Sequence, residues 1–123
     1  MAITQIRFNP NGGTIKAEIK FRTPQVGAYT LWLWEAGSNN ILMEVRGNNE
    51  NPADDIHPLP MPAPTNNGRI LECAATLADP VGEGPYLVEM EITQDGNKLG
   101  TALAKGNMTN TSVSCNMFAK LTL

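Results

Sequence analysis

The chain is poor in the residues that carry chemistry. Among 123 residues there is one histidine, His57, and there are two cysteines, Cys73 and Cys115. A nucleophile needs a positioned base, and a transition-metal site usually needs three or four defined ligands. One histidine in a proline-flanked stretch is a thin start for either, so a small hydrolase is the least favoured reading. No glycine-rich phosphate loop or nucleotide fingerprint occurs. Charge is sparse at 17%, with nine Lys and Arg against twelve Asp and Glu and a net charge of −3. The basic residues are scattered, whereas phosphate recognition clusters them; nucleic acid is not an expected partner. No apolar run approaches the roughly 18–20 residues of a membrane span. The opening MAITQIRF has no basic region followed by an apolar stretch. The expected location is the cytoplasm, or export with a signal that is not visible. No strong helical period is present either.

What is present is alternation. In Thr14–Arg22, Ile15, Ala17, Ile19 and Phe21 alternate with Lys16, Glu18, Lys20 and Arg22. A period of two places one face on a core and the other in water. Ile3–Phe8, Ala28–Ala36, Ile41–Arg46, Ile70–Leu77, Tyr86–Gln94, the segment after Asp95-Gly96, and Thr111–Leu123 read as further strands. Asp95-Gly96 suits a type I′ hairpin turn. A two-residue turn there pairs Ile92 with Leu99, Met90 with Thr101 and Val88 with Leu103. The expected fold is all-β: one antiparallel β-sandwich of about eight strands spanning 1–123. The long C-terminal strand is a candidate to extend a sheet across a symmetric interface.

The halves of the chain resemble one another: strand, PQVGAY, strand, turn, strand, and later strand, PVGEGPY, strand, turn, strand. Aligning Tyr29 with Tyr86 places Leu31 on Val88 and Leu33 on Met90. The favoured reading is that any two β-hairpins preceded by a proline-glycine loop look this alike; the alternative is a physical repeat. Each tyrosine is expected at a sandwich corner, its hydroxyl bonding a loop backbone group. An immunoglobulin-like or jelly-roll-like arrangement fits. The Cys…Trp…Cys order of immunoglobulin domains is absent, because Cys73 and Cys115 both follow the tryptophans. Two buried free thiols are the preferred reading of the cysteines; one inter-sheet disulfide is the alternative.

Two features are candidates for function. Trp32 and Trp34 share one face of their strand, about 6.6–6.8 Å apart. The repeat puts Tyr29, Leu31 and Leu33 on the core and the tryptophans outside. A two-residue Ser38-Asn39 turn reverses this, pairing Trp34 with Met43 and favouring tryptophans inside. Burial in the core is the favoured reading of the rings; exposed, they are an interface anchor or a stacking platform for sugar rings. The second feature is the Pro-rich loop 47–69, read as neither strand nor helix. His57, Pro58, Pro60 and Pro62 lie in HPLPMPAP, which favours extended geometry and either packs on the domain, over Trp32 or Trp34, or reaches a partner. Asp54 and Asp55 are hard oxygen donors that suit Ca²⁺, without the EF-hand spacing.

The expected function is a non-catalytic protein-interaction or assembly module, with a protein partner or self-association. Its contact surface would combine the Trp32/Trp34 strand, the Pro-rich loop and the sheet edges. The alternative is a carbohydrate-binding module using Trp32 and Trp34, with Ca²⁺ at Asp54 and Asp55.

Overall fold

A computed structural model describes residues 3–22, 25–50 and 55–123. The chain is all-β. The described strands are β1 (Thr4–Arg7), β2 (Ile15–Phe21), β3 (Val26–Trp34), β4 (Ile41–Asn48), β5 (Ile56–Pro58), β6 (Ile70–Ala78), β7 (Pro85–Gln94), β8 (Asn97–Asn107) and β9 (Ser112–Thr122). They form a five-stranded sheet, β1-β9-β6-β3-β4, and a four-stranded sheet, β5-β2-β7-β8. Pairing is antiparallel throughout except for β1, which runs parallel to β9. No helix among the described residues is long and apolar enough to cross a membrane.

The alternating pattern sets the core. Ile15, Ala17 and Ile19 of β2, Leu71, Cys73, Ala75 and Leu77 of β6, and Val88, Met90 and Ile92 of β7 all point between the sheets and are buried. Tyr29, Leu31 and Leu33 of β3 join the same cluster. Each such leucine or isoleucine contributes roughly 1.5–3 kcal/mol on burial. Cys73 is buried, Cys115 half-buried, and both are free thiols. Burial pushes the Cys73 thiol up to about 12.

The repeat has a structural counterpart. The chain runs β2-β3-β4-β5 and then β6-β7-β8-β9, and the orders β9-β6-β3-β4 and β5-β2-β7-β8 match element for element. Tyr29 pairs with Gly47 on β4, and Tyr86 pairs with Gly106 on β8. A Cβ on Gly47 would lie 2.5 Å from the Tyr29 hydroxyl, and one on Gly106 would lie 2.8 Å from that of Tyr86. Each tyrosine thus lies across a strand position that only glycine leaves open. The matching halves are interleaved between sheets, so the segment between β4 and β6 links two strand sets and does not separate two half-sandwiches.

Several expectations need correction. The Pro-rich loop contains β5, which pairs with β2, and a 3₁₀ turn over Ala63–Asn66. Proline is tolerated there because β5 is a three-residue edge strand. Strand β1 covers only Ala119–Thr122 of β9, so that end of the C-terminal strand has no free edge, while Ser112–Phe118 pair with β6 alone among the described residues. Asp95 and Gly96 both take positive φ, 54° and 78°, as a type I′ turn requires. A register shift between Ile92 and Thr93 then moves the ladder by one residue. Val88 faces Ala104, Met90 faces Ala102, and Leu103 turns outward, 50% exposed.

Candidate functional site

The two sheets have unlike outer faces. On the four-stranded sheet Lys20 Nζ lies 3.1 Å from Glu91 Oε2, and Arg22 Nε 2.9 Å from Glu89 Oε1. Such part-exposed pairs keep a face wet and add little stability. On the five-stranded sheet the outer face carries Trp32 and Trp34. The turn after β3 is closed by Glu35 N–H donating to Asn40 O, and the register shifts between Leu33 and Trp34. Trp34 therefore pairs with Ile41, Leu33 with Met43 and Trp32 with Glu44. The two-residue turn that would have put the rings inside does not form, and both tryptophans are half-buried outside the core.

Carboxylates hold the indoles. Trp32 Nε1 donates to Glu44 Oε1 at 2.6 Å, and Trp34 Nε1 donates to Glu72 Oε1 at 3.0 Å. The other oxygen of Glu72 accepts from Asn116 Nδ2 at 2.9 Å. Strand register brings these groups together: on β6 Glu72 faces Trp32, Ile70 faces Trp34, and Phe118 of β9 faces Glu72. Around Trp34 an open cleft of about 470 Å³ is lined by Ile3, Glu35, Ile70, Glu72 and Phe118. Glu35 accepts from Asn40 Nδ2 at 2.8 Å and Ser38 Oγ at 3.0 Å. Those bonds hold its carboxyl below the usual range. The cleft is an apolar floor with fixed acceptors at its rim. It suits the contact chemistry of a recognised apolar side chain or ring, which needs shape and a few oriented polar groups.

A second cluster lies between the sheets. The Tyr29 hydroxyl is 2.6 Å from His57 Nε2, their rings meeting edge to face at 5.9 Å. The Asp55 carboxylate lies close enough to act on the same hydroxyl. Which of the phenol and the imidazole donates follows the histidine tautomer. Burial first, then the charge and hydrogen bond of Asp55, drive the Tyr29 pKa upward. Burial lowers that of His57, with Asp55 opposing. The result is a neutral histidine and a protonated phenol joining β3 of one sheet to β5 of the other. The tyrosine therefore bonds a side chain of the opposite sheet and not a loop backbone group.

The sequence candidates do not form one site. Trp32 and Trp34 look outward from the five-stranded sheet, while His57 lies between the sheets. Pro58 and Pro62 are exposed and Pro60 is half-buried, on and beyond the β5 edge of the other sheet; Leu59 and Ala63 anchor this stretch in the core. The prolines do not cover the tryptophans. Asp55 lies beside Tyr29, its backbone carbonyl accepting from Ile19 N–H, and Asp54 lies outside the described residues. Among the described residues no three of His, Cys, Asp and Glu come together as a metal site. Ile70, Glu72, Asn116 and Phe118 were not singled out from the sequence. Their signal was phase: Ile70 and Phe118 are large apolar residues at the outward positions of their strands. Compared with protein families, curated proteins and solved structures, the chain matches none.

Proposed function

We propose that the chain is a non-catalytic binding module whose contact surface is the outer face of the five-stranded sheet around Trp34. The observation that supports this is the contrast between the outer faces. One is laced with ion pairs; the other gathers Trp34, Phe118, Ile70 and Ile3 around an open cleft. Large aromatic side chains whose polar tips are already paired are efficient anchors, because little ordering remains to be done on binding. The aliphatic floor of Ile3 and Ile70 favours a protein partner that inserts an apolar side chain. The test compares capture from source lysate on the wild-type chain with capture on Trp34→Ala and Ile70→Asp. A discrete partner held by the wild type and lost by both variants supports the reading. Identical recovery on all three would sink it.

A sugar-binding reading draws on a different observation: Glu72 sets a carboxylate beside the Trp34 ring, and the Asn116 amide binds the other oxygen of that carboxylate. Ring stacking plus such acceptors and donors is a carbohydrate platform. Titration with soluble oligosaccharides, followed by Trp emission, separates the two readings.

A further inference from the structure

Among the described residues four strands have a neighbour on one side only along their whole length: β1, β4, β5 and β8. Ser112–Phe118 of β9, bare on its β1 side, carries no charged side chain to fix a register. Strand β5 has three residues and runs into prolines; β1 has four. Strand β8 carries Lys98 and Lys105 and no acid. Strand β4, Ile41–Asn48, is long, carries one charge of each sign, and exposes Ile41 (48%) and Leu42 (41%). We infer that β4 pairs with β4 of a second copy of this chain, antiparallel about a two-fold axis through Val45.

The register follows from backbone phase and charge. Asn49 N–H donates to Gly27 O of β3. Gly47, Val45 and Met43 share that phase, so they spend their backbone groups on β3. Glu44 and Arg46 turn theirs to the open edge. Both side chains project on the Trp32 face, and within one copy Arg46 Nη2 stands 3.7 Å from Glu44 Oε2. An axis through Val45 sets Glu44 opposite Arg46 of the partner copy, and Arg46 opposite the partner's Glu44. Each pair exchanges backbone bonds and places opposite charges side by side. An axis through Glu44 would oppose two glutamates, and an axis through Arg46 two arginines. Like charges directly opposite are destabilising, and axes through Met43 or Gly47 leave both charges without a partner of opposite sign, so the Val45 axis is favoured. Charges on an edge ordinarily repel a neighbouring strand; here they admit one neighbour in one alignment. Because the contact is two-fold, it closes as a dimer and does not propagate.

The dimer would join five strands from each copy into one sheet. An axis normal to that sheet keeps both Trp34 clefts on the same side. The pairing does not rest on the binding role proposed for that cleft, since β4 lies at the edge and Ile41 and Leu42 are not among the residues lining it.

Sedimentation velocity across a concentration series tests this. The wild type should show a monomer–dimer equilibrium that weakens with salt. Arg46→Glu leaves the Trp32–Glu44 bond in place and sets glutamate against glutamate, which should weaken association roughly ten- to thirtyfold. Glu44→Arg sets arginine against arginine and should do the same. Mixed, the two variants present opposite charges at both pairs and should form a heterodimer where neither dimerises alone. Circular dichroism melts confirm that each variant folds. A wild type that is monomeric at millimolar concentration overturns the inference. So does a dimer indifferent to both reversals, or a mixture of variants that stays monomeric.

Discussion

Removing one oxygen atom from Tyr29 probes what joins the two sheets along their β4/β5 side. In Tyr29→Phe the ring keeps its place among buried neighbours, 6.1 Å from Phe21. His57 Nε2 then loses its partner. Leaving a buried polar group unpaired costs about 1–3 kcal/mol. His57 is half-buried, so water recovers part of the loss, and the lower half of that range, about 1–1.5 kcal/mol, is expected. In a domain of this size each 1 kcal/mol moves Tm by about 3–5 °C. Urea and thermal unfolding at pH 7.5 should therefore show Tm lower by roughly 3–7 °C, with the urea m-value unchanged. A double-mutant cycle sharpens the result. His57→Phe removes the other end of the bond, and the double variant should lose less than the sum of the singles by about 0.5–1.5 kcal/mol. Strictly additive costs, or a Tyr29→Phe melt that matches the wild type, would refute the bridge.

The remaining predictions concern pH, thiols and the tryptophans. The pKa of His57 is lowered below 6.5 by burial, so the unfolded chain binds its proton first as pH falls. Stability from keeping His57 neutral is present above about pH 6.5 and lost as pH drops through the folded value; urea melts between pH 7.5 and 5.5 should show a decline that His57→Gln flattens. The Cys73 thiol, pushed up to about 12, and the half-buried Cys115, also raised by burial, should resist a disulfide reagent at pH 8, with both thiols titrating only in urea. Rapid labelling of Cys73 in the folded chain would contradict its burial. Trp34→Ala should cost roughly 1–2 kcal/mol, below the about 3–5 kcal/mol of a core tryptophan, while Leu31→Ala should cost about 2–5 kcal/mol; both are read from urea midpoints. Acrylamide should quench the emission of the folded chain, as rings outside the core require.

Much of the sandwich was legible because one physical rule wrote it. Strands β2, β6 and β7 alternate cleanly, and their inward residues follow from the period of two alone. The direction of Trp32 and Trp34 was not decidable by pattern, since β3 is apolar on both faces and the answer lay in one register shift beside Leu33. A second shift beside Ile92 sent Leu103 outward and brought Ala102 and Ala104 in; alternation cannot announce a bulge. Strand β5 was missed because proline argued against it, and edge strands escape that argument. The parallel β1–β9 pair joins opposite ends of the chain and left no local trace. The Tyr–Gly pairs did leave one. Each tyrosine of the repeat is followed, in the next strand, by a glycine, Gly47 or Gly106, that faces it. The apolar floor of the cleft was visible only as out-of-phase residues, Ile70 and Phe118, whose meeting with Trp34 depends on strand order.

The binding role of the Trp34 face is tested most directly by photo-crosslinking. A benzoylphenylalanine placed at Phe118 lines the cleft; one placed at Lys105, on the exposed face of the other sheet, is the control. In source lysate the Phe118 probe should yield a discrete adduct that vanishes when Trp34→Ala is added, and the Lys105 probe should yield none. Equal adducts from both positions, or an adduct that persists without the Trp34 ring, would contradict a contact surface on this face.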